Sequence, residues 1–141
     1  MAATAVKYIS ADELSAIIKS NKLPRKDYIV VDVRDSDFIG GHITNCRNSP
    51  STTFLDKLDD LVKDTKDIPQ VIFHCALSQQ RGPKAARQYN DRRNQLRDDN
   101  DTPHEVFVLH GGFTEFQEKF KGDPQLVENW NEDIWGVDWS R

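Results

Sequence analysis

From Val71 to Pro83 the chain reads Val-Ile-Phe-His-Cys-Ala-Leu-Ser-Gln-Gln-Arg-Gly-Pro. Val71-Ile72-Phe73 is a short apolar run of the kind that forms a strand buried on both faces. A polar segment follows it. Gly82-Pro83 then opens a helix, because proline is harmless in a first turn whose N–H groups have no intrahelical partner. Strand, short polar loop and helix together make half of a βαβ unit. The same grammar recurs on both sides. Val6 to Ile9 is a short strand, and Ser10 caps a helix with Glu13 three residues on, the capping-box spacing. That helix carries Leu14, Ile17 and Ile18 on one stripe. Tyr28 to Val33 is a buried parallel strand, and Arg34 to His42 a polar turn region closing on Gly40-Gly41. Thr53 to Val62 has helical spacing, with Phe54, Leu55, Leu58, Leu61 and Val62 apolar. Glu105 to Leu109 is a third central strand, and Phe113 to Phe120 a short helix with Phe113, Phe116 and Phe120 on one face.

Strands alternating with helices predict an α/β domain with three layers and a mainly parallel central sheet of five strands flanked by helices. The chain has 141 residues, one domain's worth. The core is expected over about residues 6–122. Residues 123–141 form an acidic tail with Trp130, Trp135 and Trp139, either docking its aromatics on the domain or binding a partner. Arg87 to His104, rich in Arg, Asp and Asn, reads as a solvated helix end plus a loop.

Composition narrows the function. Charged residues make up 30%, the net charge is −4 and the mean hydropathy is −0.70. A mildly acidic chain lacks the basic footprint of a nucleic-acid binder. No apolar run approaches the ~18 residues of a membrane span. Two cysteines exclude a disulfide scaffold and a four-cysteine zinc site, and the four histidines are scattered. No metal is expected, and no membrane or nucleic-acid partner. No signal peptide is visible, so the expected location is cytoplasm and/or nucleus, with thiols reduced.

In a parallel sheet, ligands sit beyond the carboxyl ends of the strands. Asp32 to Arg34, Cys75 to Arg81 and His110 to Gly112 all follow strand ends, so they are expected at one edge. The chemistry resides in Cys75-x5-Arg81. That spacing alone is a weak signal, but its place between a buried strand and a helix start strengthens it. Ala76, Leu77, Ser78, Gln79 and Gln80 can curl into a cradle whose N–H groups face an anion, with the partial positive charge of the helix start behind them. Arg81 offers a planar fork for two oxygens of a tetrahedral oxyanion. Beside a helix N-terminus and an Arg, Cys75 loses its proton more readily, and the thiolate is the nucleophile. It can attack a cradled phosphate in line, giving a phosphocysteine that water hydrolyses. The plain alternative is an inert cysteine at a strand end, with Arg81 in a surface ion pair. His74 either tunes the thiolate or hydrogen-bonds behind it. Ser78 either bonds the sulfur or caps the loop.

With these residues in hand, a resemblance is visible. Asp32 to Ile43, Asp-Val-Arg-Asp-Ser-Asp-Phe-Ile-Gly-Gly-His-Ile, resembles the first signature of rhodanese domains, and Val108 to Phe113 the second. Val71 to Ala86 resembles the active-site loop of the rhodanese-fold phosphatases. These include the cell-division-cycle dual-specificity phosphatases and their small fungal and plant relatives, some of which reduce arsenate. The likeness runs from about Ile9 to Phe120. It implies Cys75 as nucleophile, Ala76 to Gln80 as cradle and Arg81 as oxyanion clamp, with Asp32, Arg34, His42 and His74 in support. Sulfurtransferases of the family have a loop one residue shorter. The seven-residue ring from Cys75 to Arg81 therefore implies a phosphatase of protein-tyrosine-phosphatase type, with arsenate reduction as the alternative. A sulfurtransferase, or a non-catalytic module binding a partner through its tail, comes third. The expected substrate is a phosphorylated protein or a small oxyanion. The chain would need no cofactor, apart from glutathione as co-substrate in arsenate reduction, and would act as a monomer or weak dimer.

The sequence also departs from that pattern. The large cell-cycle enzymes carry acids just after the Cys and just before the Arg, where this chain has Ala76 and Gln80. A Gln cannot donate a proton to a leaving alkoxide. Asp35 and Asp37 either lie at the mouth or cap the turn and pair with cations. The protective cysteine of the large enzymes falls at Val33. Cys46, the other thiol, either bridges to Cys75 on oxidation or fills the core.

Overall fold

The computed structural model describes residues 5–135. Strand β1 (Lys7–Ile9) leads into helix α1 (Ala11–Ile18), whose start is the expected capping box. Ser10 Oγ accepts from Glu13 N at 3.0 Å, and Glu13 Oε1 accepts from Ser10 N at 3.0 Å. The continuous apolar run forms β2 (Tyr28–Asp32), buried at every position. Two short strands follow, β3 (His42–Ile43) and β4 (Arg47–Asn48). Then come α2 (Leu58–Thr65), β5 (Gln70–His74), α3 (Arg81–Leu96), β6 (Glu105–Leu109), α4 (Gly112–Phe120), β7 (Val127–Glu128) and α5 (Glu132–Trp135).

The sheet order is β1-β6-β5-β2-β4, and all four pairings are parallel. Side chains alternate across each strand. One face of the sheet therefore packs Ile29, Val31, Val71, Phe73, Val106 and Val108 under α2 and α3. The other packs Tyr28, Val30, Ile72 and Leu109 against α1 and α4. Two buried faces explain why the centres of β2 and β5, Ile29 to Val31 and Val71 to Phe73, are continuously apolar rather than alternating.

Three expectations need correction. The helical pattern expected from Thr53 to Val62 is broken into two single 3₁₀ turns, Ser51–Thr53 and Leu55–Lys57, before α2 begins at Leu58. Phe54 is buried while the adjacent Leu55 is 64% exposed, so the two do not share one helical face. The region from Arg87 is a helix end followed by a loop, as expected, but it is not solvated on every side. Helix α3 continues to Leu96, and Arg93 is buried, donating to Lys66 O at 2.8 Å and Ile68 O at 3.0 Å just past the end of α2. A cation satisfying carbonyls at a helix end is favourable, so the charge-rich sequence is structural there. Finally, the buried core passes residue 122. Leu126 is fully buried and β7 pairs antiparallel with β3, so the chain past residue 122 adds apolar side chains to the face that carries α1 and α4. Trp139 lies outside the described residues.

Candidate active site

Strand β5 delivers His74 and Cys75 to the carboxyl edge of the sheet, and the chain turns there before α3. Cys75 is 3% exposed. The turn is made by Ser78, whose φ of +54° is the left-handed conformation. It aims the Ser78 N–H at the Cys75 sulfur, 3.2 Å away. The Ser78 hydroxyl in turn accepts from Cys75 N at 3.4 Å. Both roles open to Ser78 are filled, the sulfur bonded by its backbone N–H and the loop capped by its hydroxyl.

Helix α4 grips the loop from outside. Phe113 N donates to Cys75 O at 3.0 Å and Thr114 N to Ala76 O at 2.9 Å. These are orphan donors of a helix start, spent on loop carbonyls. The contact requires Gly112: at φ +59°, a Cβ there would lie 2.6 Å from Cys75 O. On the inner side, α3 packs so closely that a Cβ on Gly82 would sit 3.3 Å from Cys75 N. The N–H groups of Ala76, Leu77, Gln79 and Gln80 have no protein acceptor among the described residues. Leu77, Gln79 and Gln80 are exposed, while Ser78 is buried. A cavity of about 770 Å³ opens beside Leu77, Ser78 and Gln79, walled by Tyr8, His110 and Glu115.

Behind the loop lies a buried polar cluster. Arg34, 1% exposed, donates from Nε to both Asp32 oxygens at 3.0 Å and from Nη2 to Oδ2 at 2.7 Å. The same Nη2 reaches Gly41 O at 2.9 Å. The guanidinium lies 4.4 Å over the Phe113 ring. His74 is fully buried; its Nδ1 bonds Cys75 O at 3.0 Å, and Nε2 is 3.6 Å from Asp32 Oδ2, beyond hydrogen-bond reach. Burial pushes its pKa down, the facing Asp32 carboxylate opposing, so the ring is neutral. Asp32, Arg34 and His74 thus fix the end of β5 without touching the sulfur. His42 stands apart from them. It stacks on Phe38 at 5.3 Å between ring centroids and faces Glu128 at 3.6 Å.

Arg81 is where geometry adds most. Its Nη1 donates to Asp37 Oδ1 at 2.9 Å and to Asp35 Oδ2 at 3.2 Å, and its Nη2 to Asp37 Oδ2 at 2.7 Å. The fork is engaged by two carboxylates of the first signature. The Arg81 hydrogen bonds hold the Asp37 carboxyl down to about 2, against the opposing effect of burial. Asp35 is raised by burial, but bonds from Ser51 Oγ, Thr52 N and Arg81 outweigh this and leave it lowered. Both are ionised at neutral pH and neither has a proton to give, so of the two roles open to them pairing prevails. Ser51 and Thr52 were not legible as site residues, because nothing local marks residues that bond a carboxylate 16 and 17 positions back.

Cys46 packs against the second core cluster, the one under α1 and α4, across the sheet from Cys75. Burial, reinforced by the Asp32 charge, pushes its thiol up to about 12.

A parallel α/β sheet that presents a Cys-x5-Arg loop between a buried strand and a helix defines the rhodanese-type cysteine-loop class. The rhodanese-like domain family model matches residues 10–119, and the chain belongs to that family. Among its relatives, the chain is 31% identical over 136 residues to the dual specificity phosphatase ibp1 of Schizosaccharomyces pombe, covering 87% of this chain and 96% of that protein. It is 36% identical over 112 residues to arsenate reductase 2.1 of Oryza sativa subsp. japonica, covering 79% and 67%. Among solved structures, Ygr203w, a yeast protein tyrosine phosphatase of the rhodanese family, superposes with a TM-score of 0.73 at 30% identity, covering 95% of this chain and 99% of that one.

Proposed function

We propose that this chain hydrolyses phosphate monoesters, aryl esters foremost, through a cysteinyl-phosphate intermediate on Cys75. The observation that carries this reading is the loop itself: a sulfur receiving the Ser78 N–H at 3.2 Å, inside a ring of amides without protein acceptors among the described residues, at the start of a 16-residue helix. Cys75 Sγ attacks phosphorus as the ester P–O bond breaks, and the amides take up charge on the equatorial oxygens. Water then attacks phosphorus, and the S–P bond breaks to release phosphate and the thiolate. The leaving oxygen takes its proton from water. Ala76 and Gln80 supply none, and Asp35 and Asp37 are ionised against Arg81. A phenolate departs readily under those conditions and an alkoxide does not, which favours aryl substrates.

The missing acid also favours a second reading, arsenate reduction, in keeping with the names of several relatives. Cys75 would attack arsenate with loss of water. A glutathione thiolate would then attack the Cys75 sulfur, and the electron pair of the S–As bond would leave with arsenic as arsenite. The resulting mixed disulfide needs a second glutathione, since Cys46 sits across the sheet as a protonated thiol.

The test is p-nitrophenyl phosphate hydrolysis from pH 5 to 8, wild type beside Cys75→Ser. Turnover is expected to vanish in the variant while tungstate still binds. A folded wild type that hydrolyses no aryl phosphate but reduces arsenate with glutathione would move the assignment to the second reading.

A further inference from the structure

The carboxylates on Arg81 are held in place independently of it. Asp35 Oδ2 accepts from Ser51 Oγ at 2.5 Å, and Asp35 Oδ1 from Thr52 N at 3.0 Å. Asp37 Oδ1 accepts from Asp35 N at 2.8 Å, and the Asp37 carbonyl accepts from the buried Arg34 at 3.4 Å. The turn from Asp35 to Asp37 therefore presents two anions at a fixed position, and Asp37 meets the guanidinium in the two-point geometry that a phosphate would use. From this we infer that Asp37, backed by Asp35, is an internal competitor for Arg81, and that it sets how tightly, and for which anions, the Cys75 loop closes on a ligand. This inference rests on the loop being the oxyanion site proposed above.

Binding is then an exchange. Arg81 lets go of a carboxylate and takes two oxygens of the incoming anion. A monocarboxylate offers Arg81 nothing that Asp37 does not already supply, and it fills the ring of amides poorly. A doubly charged tetrahedral oxyanion offers the same fork plus further oxygens for the loop N–H groups. The exchange thus selects phosphate-, arsenate- and tungstate-like ligands over carboxylates. Because Asp37 loses its charge only near pH 2, protonation does not release the latch at neutral pH; the ligand must. Asp35 and Asp37 are positioning residues that act through Arg81.

The experiment is calorimetric titration of tungstate at pH 7 into the wild type, Asp37→Asn and Asp59→Asn. Asp59 pairs with Arg92 about three turns along α3 from Arg81, so its variant makes the same change of net charge away from the loop. Asp37→Asn is expected to bind about three- to tenfold more tightly, the scale of a partly exposed charge-assisted pair. Its acetate affinity is expected to rise as well, because carboxylates no longer compete with one. Asp59→Asn is expected to match the wild type. Asp37→Ser repeats the comparison, with folding of each variant checked by circular dichroism. If the wild type binds tungstate and the two Asp37 variants bind it no better, the latch is wrong and the oxyanion loop stands. An equal gain in Asp59→Asn also overturns the latch, by assigning the effect to overall charge. If no variant and no wild type binds tungstate, the oxyanion loop falls, and the latch with it.

Discussion

Arg34 and Arg81 carry the same guanidinium and do opposite work. Arg34 is sealed under Phe113 with Asp32, where desolvation makes an unpaired charge costly. Arg81, about a third exposed, trades partners at low cost. The two should therefore respond differently to truncation. Arg34→Leu strands Asp32 in the core and should lower unfolding stability by about 3–5 kcal/mol, read from urea denaturation. Arg81→Leu should leave stability within about 1 kcal/mol of the wild type while removing oxyanion binding. The difference is one of burial, not of residue type.

Among the elements, the join of α3 to β6 carries a pH response. His104, at the entrance to β6, is buried, with Nε2 3.2 Å from Asn90 Oδ1 on α3. Its Nδ1 has no hydrogen-bond partner among the described residues. Burial, with Arg93 and Arg97 adding to it, pushes its pKa down to about 4. The native state then resists protonation that the unfolded chain accepts near its ordinary value of about 6.5. Stability from this residue is fully present above pH 6.5 and is lost as the pH falls toward 4. The loss should reach on the order of 2–3 kcal/mol by pH 4. Urea denaturation at pH 7 and pH 4.5 should show a smaller pH-dependent drop in His104→Gln than in the wild type.

For the molecule as a whole, the chain beyond residue 122 closes the fold. Trp130 Nε1 donates to Gln117 Oε1 at 2.9 Å, and Trp135 Nε1 to Gly40 O at 2.9 Å. Leu126 is fully buried in the second cluster. Gly40 and Gly41 hold positive φ, and a Cβ on either would strike residues 128–135, so the paired glycines of the first signature fit against this segment. Trp130 and Trp135 are half-buried against the same cluster, and a fully buried apolar side chain such as Leu126 is worth about 1.5–3 kcal/mol. Ending the chain at residue 122 should therefore lower the melting temperature by more than about 10 °C, or leave the protein unfolded. A truncated protein that melts like the wild type would detach the tail from the fold and return it to the role of a partner-binding strap.

The apolar runs at Val71 and Tyr28, the Ser10–Glu13 cap, the helix start at Gly82 and the Cys75 to Arg81 spacing are local patterns, and they are enough to read a parallel α/β sheet with a Cys-x5-Arg loop at its edge. Local sterics and periodic burial act over a few residues, so the linear order carries them. It could not say where long side chains end. Arg81 reads as a clamp, yet its fork rests on Asp35 and Asp37, more than forty residues earlier. Arg93 reads as solvated, yet it binds carbonyls beyond α2. The tail's tryptophans read as aromatics docked on the domain, with partner binding as the alternative, but the sequence does not say which residues they meet. Each of these depends on pairing charges or covering apolar surface between distant segments. Hydrogen bonding and burial are satisfied in space, so only the folded chain chooses the partners.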